Sequence, residues 1–281
     1  MPHNLIIQAP VDPAPHLDTL ASLSGARDTS TVAPGLAYRL AGADPERHAA
    51  VDAFCDQHRI DFAFVPAGRR LADYGLLVSD MDSTLITIEC IDEIADMFGV
   101  KPQVAAITAR SMAGELDFAA SLRERVALLE GLPVDALARV YDERLTLMPG
   151  ARELLADCRA SGIRTLLISG GFTYFTDRLK EELGLDYAIA NQLEIIDGKL
   201  TGRMTGPLID AQAKADWLVR LRGELGLEPE QVIAMGDGAN DLKMIAAAGL
   251  GVGMHPKPVV RQHADVSLRF VGLDGLSRLF A

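Results

Sequence analysis

The sequence predicts an α/β protein in which a doubly wound, Rossmann-like parallel sheet carries a helical cap and is preceded by a small α+β domain. Three observations predict this fold. Short apolar runs alternate with helical stretches over residues 73–281, one segment of that part is helical throughout, and the first 72 residues follow a different order of elements. A chain of 281 residues is long enough for one large domain and one small domain.

The N-terminal domain, residues 1–72, is predicted to contain its elements in the order βαββαβ. The predicted strands are residues 5–7, 29–32, 36–40 and 62–65, and the predicted helices are residues 16–23 and 45–58. This is the order of a ferredoxin-like unit, which regulatory domains of the ACT type share. Residues 66–70 read Pro-Ala-Gly-Arg-Arg, which is typical of a linker. The second domain is therefore expected at residues 73–281.

The second domain contains short runs that are apolar almost throughout. They are residues 75–79, 164–168, 231–235 and 249–252. Runs without in/out alternation are typical of strands buried on both faces of a parallel sheet. Helical stretches lie between them at residues 151–161, 172–183 and 214–225, and Gly162 and Gly184 stand where helices are expected to end.

One region, residues 91–147, shows helical periodicity and no strand-like run. It predicts three or four helices inserted after the first strand of the sheet. The loops that leave the carboxyl ends of parallel strands are where such sheets bind ligands. The inserted helices are therefore expected to form a cap over a ligand-binding cleft.

Composition and charge exclude several classes of function. The net charge of −12 argues against a surface that binds nucleic acid. No apolar run approaches the ~18 residues that cross a bilayer. The start of the chain lacks the features of a signal peptide, so we expect a cytoplasmic protein. The three cysteines are far apart and show no spacing typical of zinc or of a disulfide framework.

Two carboxyl groups follow the first apolar run of the second domain, at Asp80 and Asp82. Side chains two residues apart on an extended chain point to the same side, and two carboxylates that lie close together favour a bound cation. Oxygen ligands and a phosphate substrate suit Mg²⁺ best. One carboxylate could then act as a nucleophile while the other transfers a proton. Taken alone, such a pair is more often a solvated turn or a helix cap than a site.

Three further polar clusters stand at predicted strand ends or helix starts. Ser169-Gly170-Gly171 could bind an anion through a hydroxyl and backbone N–H groups. Lys214 begins a helix, and residues 236–241, Gly-Asp-Gly-Ala-Asn-Asp, offer oxygen ligands for magnesium. Each cluster has a plain structural alternative, namely a turn, a solvated lysine or an acidic loop.

The four clusters in this order resemble the motifs of the haloacid dehalogenase superfamily of phosphohydrolases over residues 75–270. The resemblance implies that Asp80 attacks phosphorus and forms an aspartyl-phosphate, while Asp82 donates and then accepts a proton. It also implies a Mg²⁺ ion held by Asp80, Asp237 and the backbone carbonyl of Asp82.

The same resemblance implies roles for the remaining members of the clusters. Ser169 and Lys214 would hold the phosphoryl oxygens, with Gly170 beside them. Asn240 and Asp241 would support the site from the loop that carries Asp237.

Within the superfamily, the sequence resembles the phosphoserine phosphatases most. Residues 80–95 read DMDSTLITIECIDEIA, residues 110–118 read RSMAGELDF and residues 121–126 read SLRERV. The resemblance implies that Glu89 binds the substrate ammonium group, that Arg125 binds its carboxylate, and that Met112 and Phe118 line the pocket. The expected reaction is hydrolysis of O-phospho-L-serine, a small-molecule substrate, to L-serine and phosphate, which is the last step of L-serine biosynthesis.

Alternatives remain open at this stage. The same chemistry would serve a phosphatase for another small phosphomonoester, or a phosphotransferase that passes the phosphoryl group to an alcohol such as homoserine. A non-enzymatic binding protein would be expected to lack one of the acids Asp80, Asp82 and Asp237, and all three are present. The N-terminal domain could bind an amino acid, form a homodimer or stabilise the chain.

Overall fold

Residues 3–66 build an antiparallel sheet covered on one face by two helices. The structure is a computed structural model that describes residues 2–281, apart from the side chain of Met112. The strands are His3–Gln8 (β1), Asp28–Ala33 (β2), Ala37–Ala43 (β3) and Asp61–Pro66 (β4), and the helices are Leu17–Ser24 (α1) and His48–His58 (α2). The strand order is β2-β3-β1-β4, and every pair is antiparallel. The predicted α+β domain is thus confirmed.

The second sheet has seven strands and provides the frame for the site. They are Leu76–Ser79 (β5), Arg164–Phe172 (β6), Tyr187–Ile196 (β7), Lys199–Thr205 (β8), Val232–Gly236 (β9), Leu250–Met254 (β10) and Val266–Leu268 (β11). Their order is β11-β10-β9-β5-β6-β7-β8, and only the β7–β8 pair is antiparallel. From β5 the chain first winds to one side through β6 and then to the other through β9. This confirms the doubly wound sheet, whose direction changes beside β5.

The central strands are buried along their whole length, as their sequence predicts. Every residue of β5 and of β9 is buried. These strands need apolar side chains on both faces because helices cover both faces of the sheet. The remaining helices are Cys90–Met97 (α3), Lys101–Met112 (α4), Phe118–Ala127 (α5), Asp135–Glu143 (α6), Ala151–Ala160 (α7), Thr173–Leu183 (α8), Ala211–Glu224 (α9), Leu242–Ala247 (α10), Pro258–Arg261 (α11) and Asp274–Arg278 (α12).

Helices α3 to α6 lie between β5 and β6, where the sequence predicts a helical cap. The hairpin of β7 and β8 contacts this cap through an isolated bridge between Pro133 and Lys199. The domain boundary at residue 72 and the cap limits of 91 and 147 stay predictions. Within residues 2–281, no helix combines the length and the apolar character needed to span a membrane.

The open face of the N-terminal sheet packs against the second domain. Ile6, Ala63 and Val65 belong to the same buried apolar cluster as Tyr74 and Leu276. The other face of this sheet packs on α1 and α2 and forms a separate cluster. The N-terminal sheet is therefore covered on both faces, once by its own helices and once by the larger domain.

Candidate active site

Asp80 lies at the centre of the site, directly after β5. Its backbone N–H donates to the carbonyl oxygen of Met235 at 3.0 Å, which ties it to the end of β9. Lys214 Nζ lies 2.6 Å from Asp80 Oδ1 and 2.8 Å from Asp241 Oδ1. The lysine side chain is only 1% exposed. The structure therefore places Lys214 between two buried carboxylates. A lysine near the start of a helix would normally be expected on the surface.

Burial and charge act in opposite directions on this group of side chains. Burial raises the pKa of Asp80, and the neighbouring charge of Asp241 raises it further, while Lys214 opposes both. Burial by itself would lower the pKa of Lys214, but the charges of Asp241 and Asp80 outweigh it and raise that pKa. The Lys214 ammonium is consequently a fixed positive charge beside the carboxylate of Asp80.

Asp82 is held by both of its oxygens. Oδ1 accepts the backbone N–H of Cys90 at 2.9 Å, and Oδ2 accepts the hydroxyl of Ser169 at 3.3 Å. The Ser169 hydroxyl oxygen also accepts the N–H of Gly171 at 2.8 Å. Burial raises the pKa of Asp82 and so favours its protonated form, although the Cys90 N–H opposes this. Such a carboxyl group is suited to donate a proton.

The strand β6 extends further than the sequence suggests. It continues through Ser169 to Phe172, with an irregular register between Ile168 and Phe172. A side chain at Gly171 would place its Cβ 2.9 Å from Asp82 Oδ2, so the close approach requires glycine. The bend brings the Ser169 hydroxyl and the Gly171 N–H to the same edge as Asp80 and Asp82.

The loop after β9 supplies the next two acids. A Cβ at Gly236 would lie 2.3 Å from the carboxyl carbon of Asp241, which explains the glycine there. Asp237 is 8% exposed, and its Oδ2 lies 2.9 Å from Lys257 Nζ. Burial raises the pKa of Asp237, while the hydrogen bond from Lys257 lowers it. Asn240 Nδ2 donates to Asp241 Oδ1 at 3.3 Å.

Three buried carboxylates are close enough to share a metal ion. Oxygens of Asp80, Asp237 and Asp241 all lie within 4.8 Å of one another. These three carboxylates pair with only two ammonium groups, those of Lys214 and Lys257. The surplus of negative charge and the oxygen ligands fit a hard divalent cation. The expected ligand from Asp82 is its backbone carbonyl, and its side chain instead contacts Cys90 and Ser169.

Glu89 lies directly before α3, the first helix after the loop that carries Asp80 and Asp82. Its Oε1 accepts the hydroxyl of Ser83 at 2.8 Å. The carboxyl group is still reached by solvent, but the protein crowds it, and the loss of hydration together with the charge of Asp82 raises the pKa of Glu89 to about 7. Ser83 adopts a left-handed φ of 56°, which is uncommon for a residue with a side chain.

The remaining predicted site residues belong to the cap and to its contact with β6. Burial lowers the pKa of Arg125, while the charges of Asp92, Glu89 and Asp82 raise it. Phe118 begins α5, and its ring approaches to 3.0 Å from the position of a Cβ on Gly170. Met112 ends α4, and its side chain lies outside the described part of the chain.

Sequence reasoning missed Lys257. Its nearest signal is its position shortly after β10, but a lysine beside a proline in a loop is most often solvated. Only the folded chain shows that the loop after β10 returns to the loop after β9.

Family comparison agrees with this arrangement. A family model described as haloacid dehalogenase-like hydrolase matches residues 77–246. The chain belongs to this family. A second model, a domain of unknown function (DUF4072), matches residues 5–51.

Similar proteins fall in the same family. A protein of Polaromonas sp. named phosphoserine phosphatase is 52% identical over 215 residues, which are 75% of this chain and 91% of that protein. The crystal structure of a probable phosphoserine phosphatase from Vibrio cholerae superposes with a TM-score of 0.84 at 40% identity, covering 99% of this chain and 86% of that one. A family hydrolase from Salmonella enterica serovar Typhi superposes with a TM-score of 0.89 at 35% identity, covering 99% and 98%.

Proposed function

We propose that this chain is a phosphoserine phosphatase, which hydrolyses O-phospho-L-serine to L-serine and phosphate in the last step of L-serine biosynthesis. The observation that carries the proposal is the buried Asp80 carboxylate beside the ammonium of Lys214, with Asp82 two residues away. Relatives at 45–52% identity are named for this activity, which supports the substrate.

In the first step, a carboxylate oxygen of Asp80 attacks phosphorus, and the bond from phosphorus to the serine oxygen breaks. Asp82, protonated because burial raises its pKa, gives its proton to the departing serine oxygen. In the second step, Asp82 takes a proton from a water molecule, which attacks the phosphoryl group on Asp80. Phosphate leaves, Asp80 regains its carboxylate and Asp82 regains its proton.

Fixed charges and N–H groups stabilise the negative charge that grows on the phosphoryl oxygens. We assign this role to Lys214, to the Ser169 hydroxyl and to the N–H groups around Gly170, with Asn240 supporting the loop opposite. The buried Lys214 ammonium needs no rearrangement because Asp80 and Asp241 already hold it.

Asp80, Asp237 and the backbone carbonyl of Asp82 would hold the metal, and the carboxylate oxygens and the charge balance support Mg²⁺. When bound, magnesium neutralises phosphoryl charge. Asp241, which is also within reach of these oxygens, holds Lys214 and the N–H of Gly238.

Substrate selection is assigned to the cap. Glu89 would bind the ammonium group of phosphoserine, and the Arg125 guanidinium would bind its carboxylate through two N–H groups. Phe118 and Met112 would line the pocket around the serine carbons. Sugar phosphates carry no ammonium group, so Glu89 would disfavour them.

The test is a phosphate-release assay over a set of small phosphomonoesters, with and without Mg²⁺. We expect O-phosphoserine to be the best substrate, with turnover that requires the metal, and Asp80→Asn to lose at least about a thousandfold in kcat. Full activity of Asp80→Asn, or a preference for a sugar phosphate, would contradict the proposal. Adding homoserine tests the alternative phosphotransferase activity, since free phosphate would then fall below the serine released.

A homodimer and a cytoplasmic location complete the proposal. The location is the one expected from the sequence, and the N-terminal domain could form the dimer. Sedimentation velocity of the full chain at several concentrations would test the dimer.

A further inference from the structure

Lys257 contacts Asp237 twice, through its side chain and through its backbone. The ammonium nitrogen lies 2.9 Å from Asp237 Oδ2, and the backbone N–H donates to the carbonyl oxygen of Asp237 at 2.9 Å. The two contacts fix the side chain and the main chain of the same aspartate.

The segment that carries Lys257 is fixed on both sides. Before it, the backbone N–H of His255 donates to the Leu268 carbonyl at 2.7 Å. After it comes α11, in which Arg261 forms ion pairs with Asp52 at 3.1 Å and Asp56 at 3.2 Å. Both aspartates lie on α2, so the N-terminal domain anchors this segment. The backbone of Lys257 is thus held in place although its side chain is largely exposed.

Two effects of Lys257 on a metal held by Asp237 oppose each other. Its positive charge repels a divalent cation, whereas its hydrogen bond holds the carboxylate in one orientation. The Lys257 ammonium is paired with the Asp237 carboxylate, so the pair presents a metal with much less positive charge than a free lysine would. The Asp237 side chain is 8% exposed, and a hydrogen bond to so buried a carboxylate restricts its orientation. We therefore expect orientation to outweigh repulsion.

We propose that Lys257 is a positioning residue, which orients the Asp237 carboxylate for a divalent metal and thereby strengthens metal binding. This inference rests on the proposed metal-dependent function. Lys257 would not contact the substrate, and it would change the metal affinity only through the Asp237 carboxylate. Partners of metal ligands typically change metal affinity by 10–100-fold when they are removed.

The test measures Mg²⁺ binding directly, by isothermal titration calorimetry on metal-free protein. We expect Lys257→Met to weaken Mg²⁺ binding about 10-fold and Lys257→Arg to restore most of it. In assays, the Mg²⁺ concentration for half-maximal rate should rise by a similar factor, while kcat at saturating Mg²⁺ changes little. Lys243→Met is the matched control, since it removes the same charge from an exposed lysine that contacts Gln212.

Unchanged or tighter Mg²⁺ binding by Lys257→Met would overturn the inference, and tighter binding would mean that repulsion dominates. The melting temperature without metal shows whether the variant is folded, and Lys257→Gln, which keeps a donor without the charge, provides a second variant. If Lys257→Gln loses as much Mg²⁺ affinity as Lys257→Met, the hydrogen bond to Asp237 does not account for the affinity, and the inference is wrong. These outcomes are distinct from a failure of the proposed function, in which the wild-type chain itself would release no phosphate from phosphoserine.

Discussion

Glu89 and Asp82 are both carboxyl groups with a raised pKa, but they have different partners. Asp82 accepts hydrogen bonds from Cys90 and Ser169, whereas Glu89 is exposed and accepts one from Ser83. In the proposed reaction, a proton on Asp82 would help the departure of the serine oxygen. A proton on Glu89 removes the charge that would attract an ammonium group. A raised pKa would therefore assist proton donation by Asp82 and limit ammonium binding by Glu89.

The pH dependence of substrate selection follows from Glu89, whose pKa is raised to about 7. Below that pH the group is protonated and neutral, so attraction to the phosphoserine ammonium is lost as pH falls. We expect kcat/KM for phosphoserine, divided by kcat/KM for p-nitrophenyl phosphate, to drop by up to about tenfold per pH unit below 7. Taking the ratio cancels the titration that the two phosphate groups share.

Glu89→Gln is the control for this measurement. The variant has no charge at any pH, so its ratio should be low and flat between about pH 5.5 and 8.5. A wild-type ratio that does not change over the same range would show that Glu89 does not bind the ammonium group.

At single positions, the sequence indicated which acids lie together but not the conformations around them. Asp80, Asp82 and Asp237 became candidates because several polar clusters follow buried strands in an order that resembles a known family. Each cluster alone is compatible with a turn. The burial of Lys214 could not be found, since a lysine near a helix start is normally solvated and its partners lie 134 and 27 residues away in the chain. The left-handed backbone of Ser83 likewise depends on contacts with residues beyond it, such as Ile88 and Glu89.

Helix α9 shows how one element positions the Lys214 ammonium beside Asp80. The Asp210 carboxylate accepts the N–H groups of Gln212 at 2.9 Å and Ala213 at 2.8 Å, and so caps the helix. Lys214 lies in the first turn that this cap organises. A loss of the cap would therefore loosen the turn that holds the ammonium near Asp80.

Asp210→Ala is expected to reduce the free energy of unfolding by about 1 kcal/mol and to lower kcat/KM. Urea unfolding and phosphate release measure the two effects. Asp210→Asn should retain most of both properties, because asparagine caps helices about as well as aspartate. Equal stability of the alanine variant and the wild type would mean that the cap contributes nothing.

Among the elements, the strands β5, β6, β9 and β10 were predictable because their residues are apolar almost throughout. The hairpin of β7 and β8 was not identified, since β7 is partly exposed and its register with β8 shifts between Leu193 and Ile195. A signal was present at Asp197-Gly198, where both residues have positive φ, of 51° and 72°, as in a two-residue hairpin turn. The three-residue strand β11 is too short for any pattern to indicate it.

The whole molecule is joined by a buried aspartate of the N-terminal domain. Asp61 is fully buried at the start of β4, and its carboxylate accepts three backbone N–H groups of the larger domain, from Arg269 at 2.9 Å, Phe270 at 2.8 Å and Val271 at 3.0 Å. A buried carboxylate is costly unless it is fully hydrogen-bonded. This contact, with the shared apolar cluster of Ile6 and Val65, indicates that the two domains unfold together.

Asp61→Ala would leave three backbone N–H groups, of Arg269, Phe270 and Val271, without their acceptor. We expect it to lower the free energy of unfolding by about 3 kcal/mol. Trp217, the one tryptophan of the chain, lies on α9 of the larger domain. Its fluorescence therefore reports on a domain that the substitution does not alter. If the domains unfold as one unit, Asp61→Ala should lower the urea midpoint equally when unfolding is followed by Trp217 fluorescence and by circular dichroism. The control variant Asp28→Ala, on the exposed β2, should leave both midpoints unchanged. An early transition in circular dichroism with an unchanged Trp217 midpoint would instead mean that the N-terminal domain unfolds independently of the larger domain.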